Sequence, residues 1–433
     1  MLLALAVPTF GQLIAEPAFV LIDTAIVGHV GDSALAGLAL GSTIILTAVG
    51  LCVFLAYATT SQVAKFFGAG RVREGLQTGI DGLWLALAIG AVLAAVLFTA
   101  AEPLCWLLGG RGDDLAQGVA YTRAVVLGAP GMLLVYAANG LYRGMQKVTF
   151  TLVAAVSGAV LNTILDVIFV IVLGWGVAGS GFATLIAQWF MGLMMVVPVV
   201  RWAREHQVTL RPRPSGMTAS GLDGFPLFVR TLALRAGLVA TLMAAATLGT
   251  DVLAGYQVVN AAWNFTVNVL DSVAIAGQTL VGAELGAKSF AKARHLARLT
   301  LRSGLVAGIV VGACFVLLGF VAPQVFTPSA SVQHFVTIGM VILGVALPLH
   351  GWMWATDGIL IGSGDFKYLA ATCSLVSAVY IVVLAGLVYL VLPHLTSASV
   401  QCAVVWTTFA VLFMGGRALT NGLRIRTDEW MRA

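Results

Sequence analysis

Residues 204–224 read REHQVTLRPRPSGMTASGLDG, the one long polar stretch in a chain that is otherwise apolar. Of the 433 residues, 60% are hydrophobic and 9% are charged, against roughly 25% charged in a soluble domain. No soluble core hides so much apolar surface, so the chain belongs in a membrane. A helix needs about 20 apolar residues to cross the hydrocarbon layer. Runs of that kind lie near 2–27, 37–64, 76–101, 117–142, 150–174 and 178–200 before the polar stretch. After it they lie near 224–248, 254–283, 295–321, 335–361, 368–392 and 398–420. None alternates with the period of two that a barrel strand needs, so the spans are helices. The start, MLLALAVPTF, has no basic segment and is broken by Pro8. It reads as the opening of the first span and not as a signal peptide.

Twelve spans split six and six, with expected bounds 1–203 for an N-terminal bundle, 204–222 for a linker and 223–433 for a C-terminal bundle with a short tail. All of the 23 Lys and Arg except Arg111, Arg123, Arg230 and Arg235 fall on the side reached after even-numbered spans. The positive-inside rule then places both termini in the cytoplasm.

The halves repeat. A shift of 218 residues pairs Pro8 with Pro226, Gly31 with Gly249, and Leu35-Ala36-Gly37 with Leu253-Ala254-Gly255. It also pairs Pro130 with Pro348 and Gly140 with Gly358, without a gap. An even number of spans per half makes the repeats parallel, related by an axis along the membrane normal. Paired bundles of this kind suit transporters.

Polar residues inside the spans carry the chemistry. A carboxylate at bilayer depth costs at least about 2.5–3.5 kcal/mol. It survives by facing a cavity, finding a partner or taking up a proton. Asp23, in FVLIDTAIVGHVG (19–31), is the first candidate. In AVLNTILDVIFV (159–170), Asn162 and Asp166 stand four apart on one helical face. Together they can share a proton, coordinate a small cation, or clamp two helices. Asn139, Tyr121 and Thr184 add uncharged polar groups to the same half. The repeat is a control. It sends Asp23 to Thr241, Tyr121 to Gly339, Asn162 to Tyr380, Asp166 to Leu384 and Asn139 to Asp357. The second half keeps the skeleton and drops most of the polar set, so the ion-linked chemistry is expected in the N-terminal half.

Other positions are more open. Glu16, before Pro17, lines a cavity or caps a bend. Asp271 and Asp357 form a second acidic site or anchor helices. Asp81 and Glu284 are expected to snorkel, and Arg230 and Arg235 to sit at the interface. Pro8 shares a helix with Asp23 and is a hinge or a fixed bend. Phe19, Met132, Trp189, Met191 and Trp263 face a greasy substrate, lipid or other helices.

Enzyme chemistry finds no support. There is no HExxH, Walker A or nucleophile elbow, and GAGRVREG (68–75) follows a membrane span where a phosphate loop follows a strand. Five dispersed cysteines (Cys52, Cys105, Cys314, Cys373, Cys402) show no metal spacing. No cofactor, resident metal or nucleic-acid partner is expected, and the chain is expected to be a monomer.

The pattern resembles the multidrug and toxic compound extrusion (MATE) transporters. The resemblance rests on the two six-helix halves, the spacing P-x14-D (Pro8, Asp23), the run GHVGDSALAGLAL, NGLYRGMQK ending span four and LNTILDVIFV in span five. It covers essentially the whole chain and is nearest to the damage-inducible (DinF) branch. It implies a plasma (inner) membrane antiporter that exports amphipathic, often cationic drugs as protons or sodium ions enter. Asp23 would be the coupling carboxylate, with Asn139, Asn162 and Asp166 completing its cluster. Those four would also be the ligands if the ion is Na⁺. Tyr121, Thr184 and Glu16 would line the cavity, and the first helix would bend at Pro8. Other branches carry an acid in span seven, and ATLMAAATLG (240–249) has none. The rival architecture is a lipid-linked-oligosaccharide flippase. It needs basic residues in its cavity, and only Arg123, Arg230 and Arg235 offer themselves.

Overall fold

The computed structural model describes residues 2–321 and 323–432, the side chains of Glu16 and Phe326 excepted. Every regular element among the described residues is a helix, without a strand. They hold eleven helices long and apolar enough to cross a membrane. The number is twelve if a bent pair counts as one more span. The chain divides into two compact units. One is Val7–Phe225; the other begins at Pro226 and also takes in the residues before Val7.

The first unit is built from α1 (Leu2–Gly28), α2 (Asp32–Leu51), α3 (Phe54–Gly68), α4 (Val72–Thr99), α5 (Ala101–Leu107), α6 (Gly112–Val126), α7 (Ala129–Gly144), α8 (Val148–Asp166) and α9 (Gly176–Glu205). A π-helical turn, Val167–Val172, prolongs α8 directly after Asp166. The pair α6 and α7 forms one span bent by 48°. Pro130 lies at the bend, at the start of α7, and has no N–H to continue the α6 ladder. The indole of Trp189 donates to the Leu127 carbonyl at the bend, at 3.1 Å.

The second unit contains α10 (Pro214–Thr247) from Pro226 onward, α11 (Thr250–Gly286), α12 (Phe290–Val321), α13 (Pro323–Phe326), α14 (Ala330–Ser363), α15 (Phe366–Gly386), α16 (Ala398–Thr408) and α17 (Gly415–Arg426). A π turn, Leu387–Val391, extends α15, and another, Phe409–Met414, joins α16 to α17. The repeat holds in three dimensions at the same offset. Asp32 and Thr250, Val72 and Phe290, Gly112 and Ala330, and Val148 and Phe366 each open corresponding helices, 218 residues apart. Gly31 and Gly249 precede α2 and α11 with φ of 151° and 112°, a conformation that an L side chain resists. The halves differ where α6 and α7 bend, because Pro348, the partner of Pro130, sits inside the unbroken α14.

Small residues let helices approach where no water drives them together. A Cβ on Gly308 of α12 would stand 2.3 Å from the Leu347 carbonyl of α14, and one on Gly312 would stand 2.4 Å from that of Gly344. Outward faces are apolar instead: Val382 and Leu390 are each 71% exposed, as lipid-facing side chains are.

Candidate functional site

The first unit contains an open-mouthed chamber. Gln12, Ala15, Phe19 and Asp23 of α1 line it at helical spacing, so one face of α1 forms a wall along its length. Ser42 and Ile45 of α2, Tyr121 of α6, Met132, Tyr136 and Asn139 of α7, Ala155 of α8, and Thr184, Gln188 and Met191 of α9 complete it. The described lining is mainly aliphatic, aromatic and thioether, with one carboxylate, Asp23. Among the described residues no Lys or Arg lines it.

Asp23 is 4% exposed. Ser180, near the start of α9, donates its hydroxyl to Asp23 Oδ1 at 2.5 Å. Behind the wall lies a second carboxylate, Asp166, fully buried at the end of α8. The Asn162 amide sits so that its Nδ2 donates to Asp166 Oδ2 at 3.1 Å while its Oδ1 accepts from Thr184 Oγ1 at 3.2 Å. Ser42 reaches the Tyr121 hydroxyl at 3.4 Å. Two buried oxygens, Asp166 Oδ1 and Asn139 Oδ1, have no donor among the described residues. A buried acceptor without a donor is costly. The cluster is thus short of positive hydrogen, and it suits a transient proton or a small hard cation, which takes oxygen ligands. No group of three or more His, Cys, Asp or Glu among the described residues is arranged to hold a metal.

Asp23, Asn139, Tyr121 and Thr184 therefore border one chamber, with Asn162 and Asp166 packed behind. Glu16 lies on α1, but its side chain is outside the described ones. Pro8 lies within the continuous α1. Two residues were not singled out from sequence. Ser180 is a serine in a small-residue helix start, GVAGSG, where nothing in the sequence marks it out. Gln12 accepts from buried Arg143 of α7 at 2.6 Å.

Several charges sit differently from expectation. Arg230 is buried, not interfacial, and it pairs with Asp357. Arg417 of α17 pairs with the same carboxylate, and Asn421 donates to Asp357 Oδ1 at 2.5 Å. Asp357 is thus an anchor between α10, α14 and α17. Asp81 does not snorkel either. It is 2% exposed on α4 and takes Arg213 of the polar linker as its partner, with Nε at 3.2 Å. Trp263 packs in the second unit against His350 and Phe409, ring centroids 5.5 Å away in each case.

Comparison with known proteins agrees with this architecture. The family model described as MatE matches residues 8–168 and again 226–389. Protein DETOXIFICATION 42 of Arabidopsis thaliana is 32% identical over 69% of this chain, a match that spans only 59% of that protein's length. DNA damage-inducible protein F of Escherichia coli (strain K12) is 27% identical over 83% of this chain and 79% of its own. The fold is that of the Vibrio cholerae MATE transporter VcmN in the bent form, with a TM-score of 0.87 at 20% identity, covering 100% of this chain and 96% of that one.

Proposed function

The chain belongs to the MatE family of multidrug and toxic compound extrusion transporters, and on that footing we propose that it is a cation-coupled efflux antiporter. Amphipathic, often cationic compounds leave through the chamber of the first unit, and a proton enters by way of Asp23. One observation carries the reading: the only described carboxylate on the wall of a greasy chamber is hydrogen-bonded to Ser180 and backed by acceptors that lack donors.

The energetics follow from that placement. An ionised Asp23 in an apolar wall attracts a cationic compound, and the wall's rings and thioethers hold its apolar body. A proton arriving from outside removes the charge and with it that attraction, so the compound leaves outward. Loss of the proton to the cytoplasm restores the accepting state. The ion biases alternating access only by the difference in its affinity for the two states. Behind the wall Asp166 and Asn162, and on it Asn139, hold the carboxylate's surroundings polar.

A second reading, sodium in place of the proton, draws on Asp166 Oδ1 and Asn139 Oδ1, which together with Asp23 are oxygens of the kind a small hard cation takes. The flippase reading has less support, because the described wall carries a carboxylate and no base to receive a pyrophosphate.

The test is efflux of a fluorescent cation from proteoliposomes under an imposed pH or sodium gradient, with the wild type beside Asp23→Asn. The expected result is loss of gradient-driven efflux in the variant, and the gradient that drives the wild type names the ion. Undiminished driven efflux by Asp23→Asn removes Asp23 from the mechanism. Movement of a labelled lipid-linked sugar without cation transport selects the flippase.

A further inference from the structure

We infer that Gly158 on α8 sets the size of the chamber by giving Met191 room to fold back against it, and so determines how bulky a transported cation can be. The inference rests on the chamber being the substrate site.

Met191 of α9 is buried and lines the chamber. It lies across Gly158. A Cβ on Gly158 would stand 2.2 Å from Met191 Sδ, 2.3 Å from Cγ and 3.1 Å from Cε. The conflict reaches Cγ as well as the flexible tip, so turning the terminal methyl does not relieve it. The whole side chain must take another rotamer. Gly158 and Met191 also border a cleft beside Asn162 and Thr184 that is too tight to admit a water. It gives the displaced side chain no room, which leaves the chamber as the open direction. Methionine is unbranched and turns easily, so it moves while the helices stay in place.

The face of α8 makes the same point. Ala155, Gly158, Asn162 and Asp166 follow at helical spacing. Ala155 lines the chamber, Gly158 makes room for Met191, and the next two carry the amide and the acid behind it.

The repeat supplies an internal control. The offset of 218, which pairs the starts of α8 and α15, sends Ala155 to Cys373 and Gly158 to Val376; counted from the starts of α9 and α16, which lie 222 residues apart, Met191 falls at Phe413. In the second unit all three are buried. There Phe413 packs on Tyr380 at 4.8 Å and on Phe409 at 5.7 Å between ring centroids. The same positions with larger side chains are packed core. In the first unit Ala155 and Met191 border open space.

The experiment compares two probes in proteoliposomes, planar ethidium and compact tetraethylammonium. For Gly158→Ala the ratio of ethidium to tetraethylammonium efflux is expected to fall about tenfold, the low end of what one methylene discriminates in an apolar pocket. Adding Met191→Ala to that variant is expected to return the ratio to within about twofold of the wild type, since the displaced side chain is gone. Loss of helix packing alone would not be rescued by a second truncation. An unchanged ratio in Gly158→Ala overturns the inference, as does a fallen ratio that Met191→Ala fails to restore. If Gly158→Ala does not fold, Met191→Ala alone must raise the ratio, and no rise overturns the inference equally. A wild type that moves neither probe under any gradient refutes the transport reading itself, which is a different result from a wild type whose selectivity ignores residue 158.

Discussion

Ser180 on α9 donates its hydroxyl to the Asp23 carboxylate on α1 across 2.5 Å, between residues 157 positions apart in the chain. The bond ties the helix that bears the acid to the helix that bears Thr184, Gln188 and Met191, so it fixes where the acid stands on the chamber wall. The second unit has neither end of it: Thr241 stands at the position of Asp23, and Cys402 stands as far into α16 as Ser180 does into α9. Thr241 instead meets Tyr380 hydroxyl to hydroxyl at 2.6 Å, a neutral pair where the first unit places Asp23 and Asn162.

A hydrogen bond to a charged group contributes about 1.5–3 kcal/mol. Ser180→Ala is therefore expected to slow gradient-driven efflux by roughly tenfold or more, and Ser180→Thr to recover most of the rate because it keeps the hydroxyl. Initial efflux rates at matched protein incorporation measure this. Equal rates for Ser180→Ala and wild type would show that the bond is incidental.

Asp166 does not border the chamber, whereas Asp23 does. Asp166→Asn is accordingly expected to keep a measurable pH-driven efflux that Asp23→Asn lacks. It is also expected to remove any sodium-driven component, because Asp166 supplies one of the two oxygens without donors. Running both variants under separate proton and sodium gradients resolves the two. A pH-driven rate as low in Asp166→Asn as in Asp23→Asn would mean that the carboxylates work as one unit.

Asp357 occupies the position of Asn139 in the repeat, yet its surroundings are opposite. Asn139 borders open space with an unpaired oxygen, while Asp357 holds Arg230, Arg417 and Asn421. Removing one partner of a buried ion pair costs about 3–5 kcal/mol. Asp357→Ala should therefore lower the thermal midpoint in detergent sharply. Whatever protein remains folded should keep the wild-type preference between proton and sodium gradients. A changed ion preference with an unchanged midpoint would make Asp357 a coupling site after all.

Hydrophobic runs and the 218-residue offset made the spans and the repeat legible, because both are local or periodic properties of the chain. Asp23 was legible for the same reason: a charge in an apolar run stands out wherever it points. Pairings between distant residues were not. Arg230 and Asp357 lie 127 residues apart, and Asp81 and Arg213 lie 132 apart. From local composition Arg230 and Asp81 each read as a charge near a span end, which water would suit. Tertiary burial decided otherwise. The bend between α6 and α7 also escaped, since Pro130 and Pro348 share a place in the repeat and only the first interrupts its helix. Ser180 gave no signal, because a serine costs little in a membrane helix and says nothing of what its hydroxyl meets.

The polar linker is docked against the first unit, and this leads to a prediction about proteolysis. Along one face of α4, Gln77, Asp81 and Trp84 grip successive linker residues. The Gln77 amide accepts from Thr209 N at 3.1 Å and donates to Thr209 O at 3.2 Å, and Trp84 Nε1 donates to the Leu210 carbonyl at 2.9 Å. Arg213 closes the row on Asp81. Arg213 is partly exposed, so its own contribution is modest, but Asp81 is buried and has Arg213 as its cation. Asp81→Ala removes that end of the strap and leaves the linker held by Gln77 and Trp84 alone. Chymotrypsin should then cut after Leu210 faster than in the wild type, while the Arg211–Pro212 and Arg213–Pro214 bonds leave trypsin no site in the strap. Time-resolved digestion in detergent, read by mass, tests this. Equal cleavage rates after Leu210 would mean that the strap is held by its bonds to Gln77 and Trp84 and that the ion pair adds nothing to its closure.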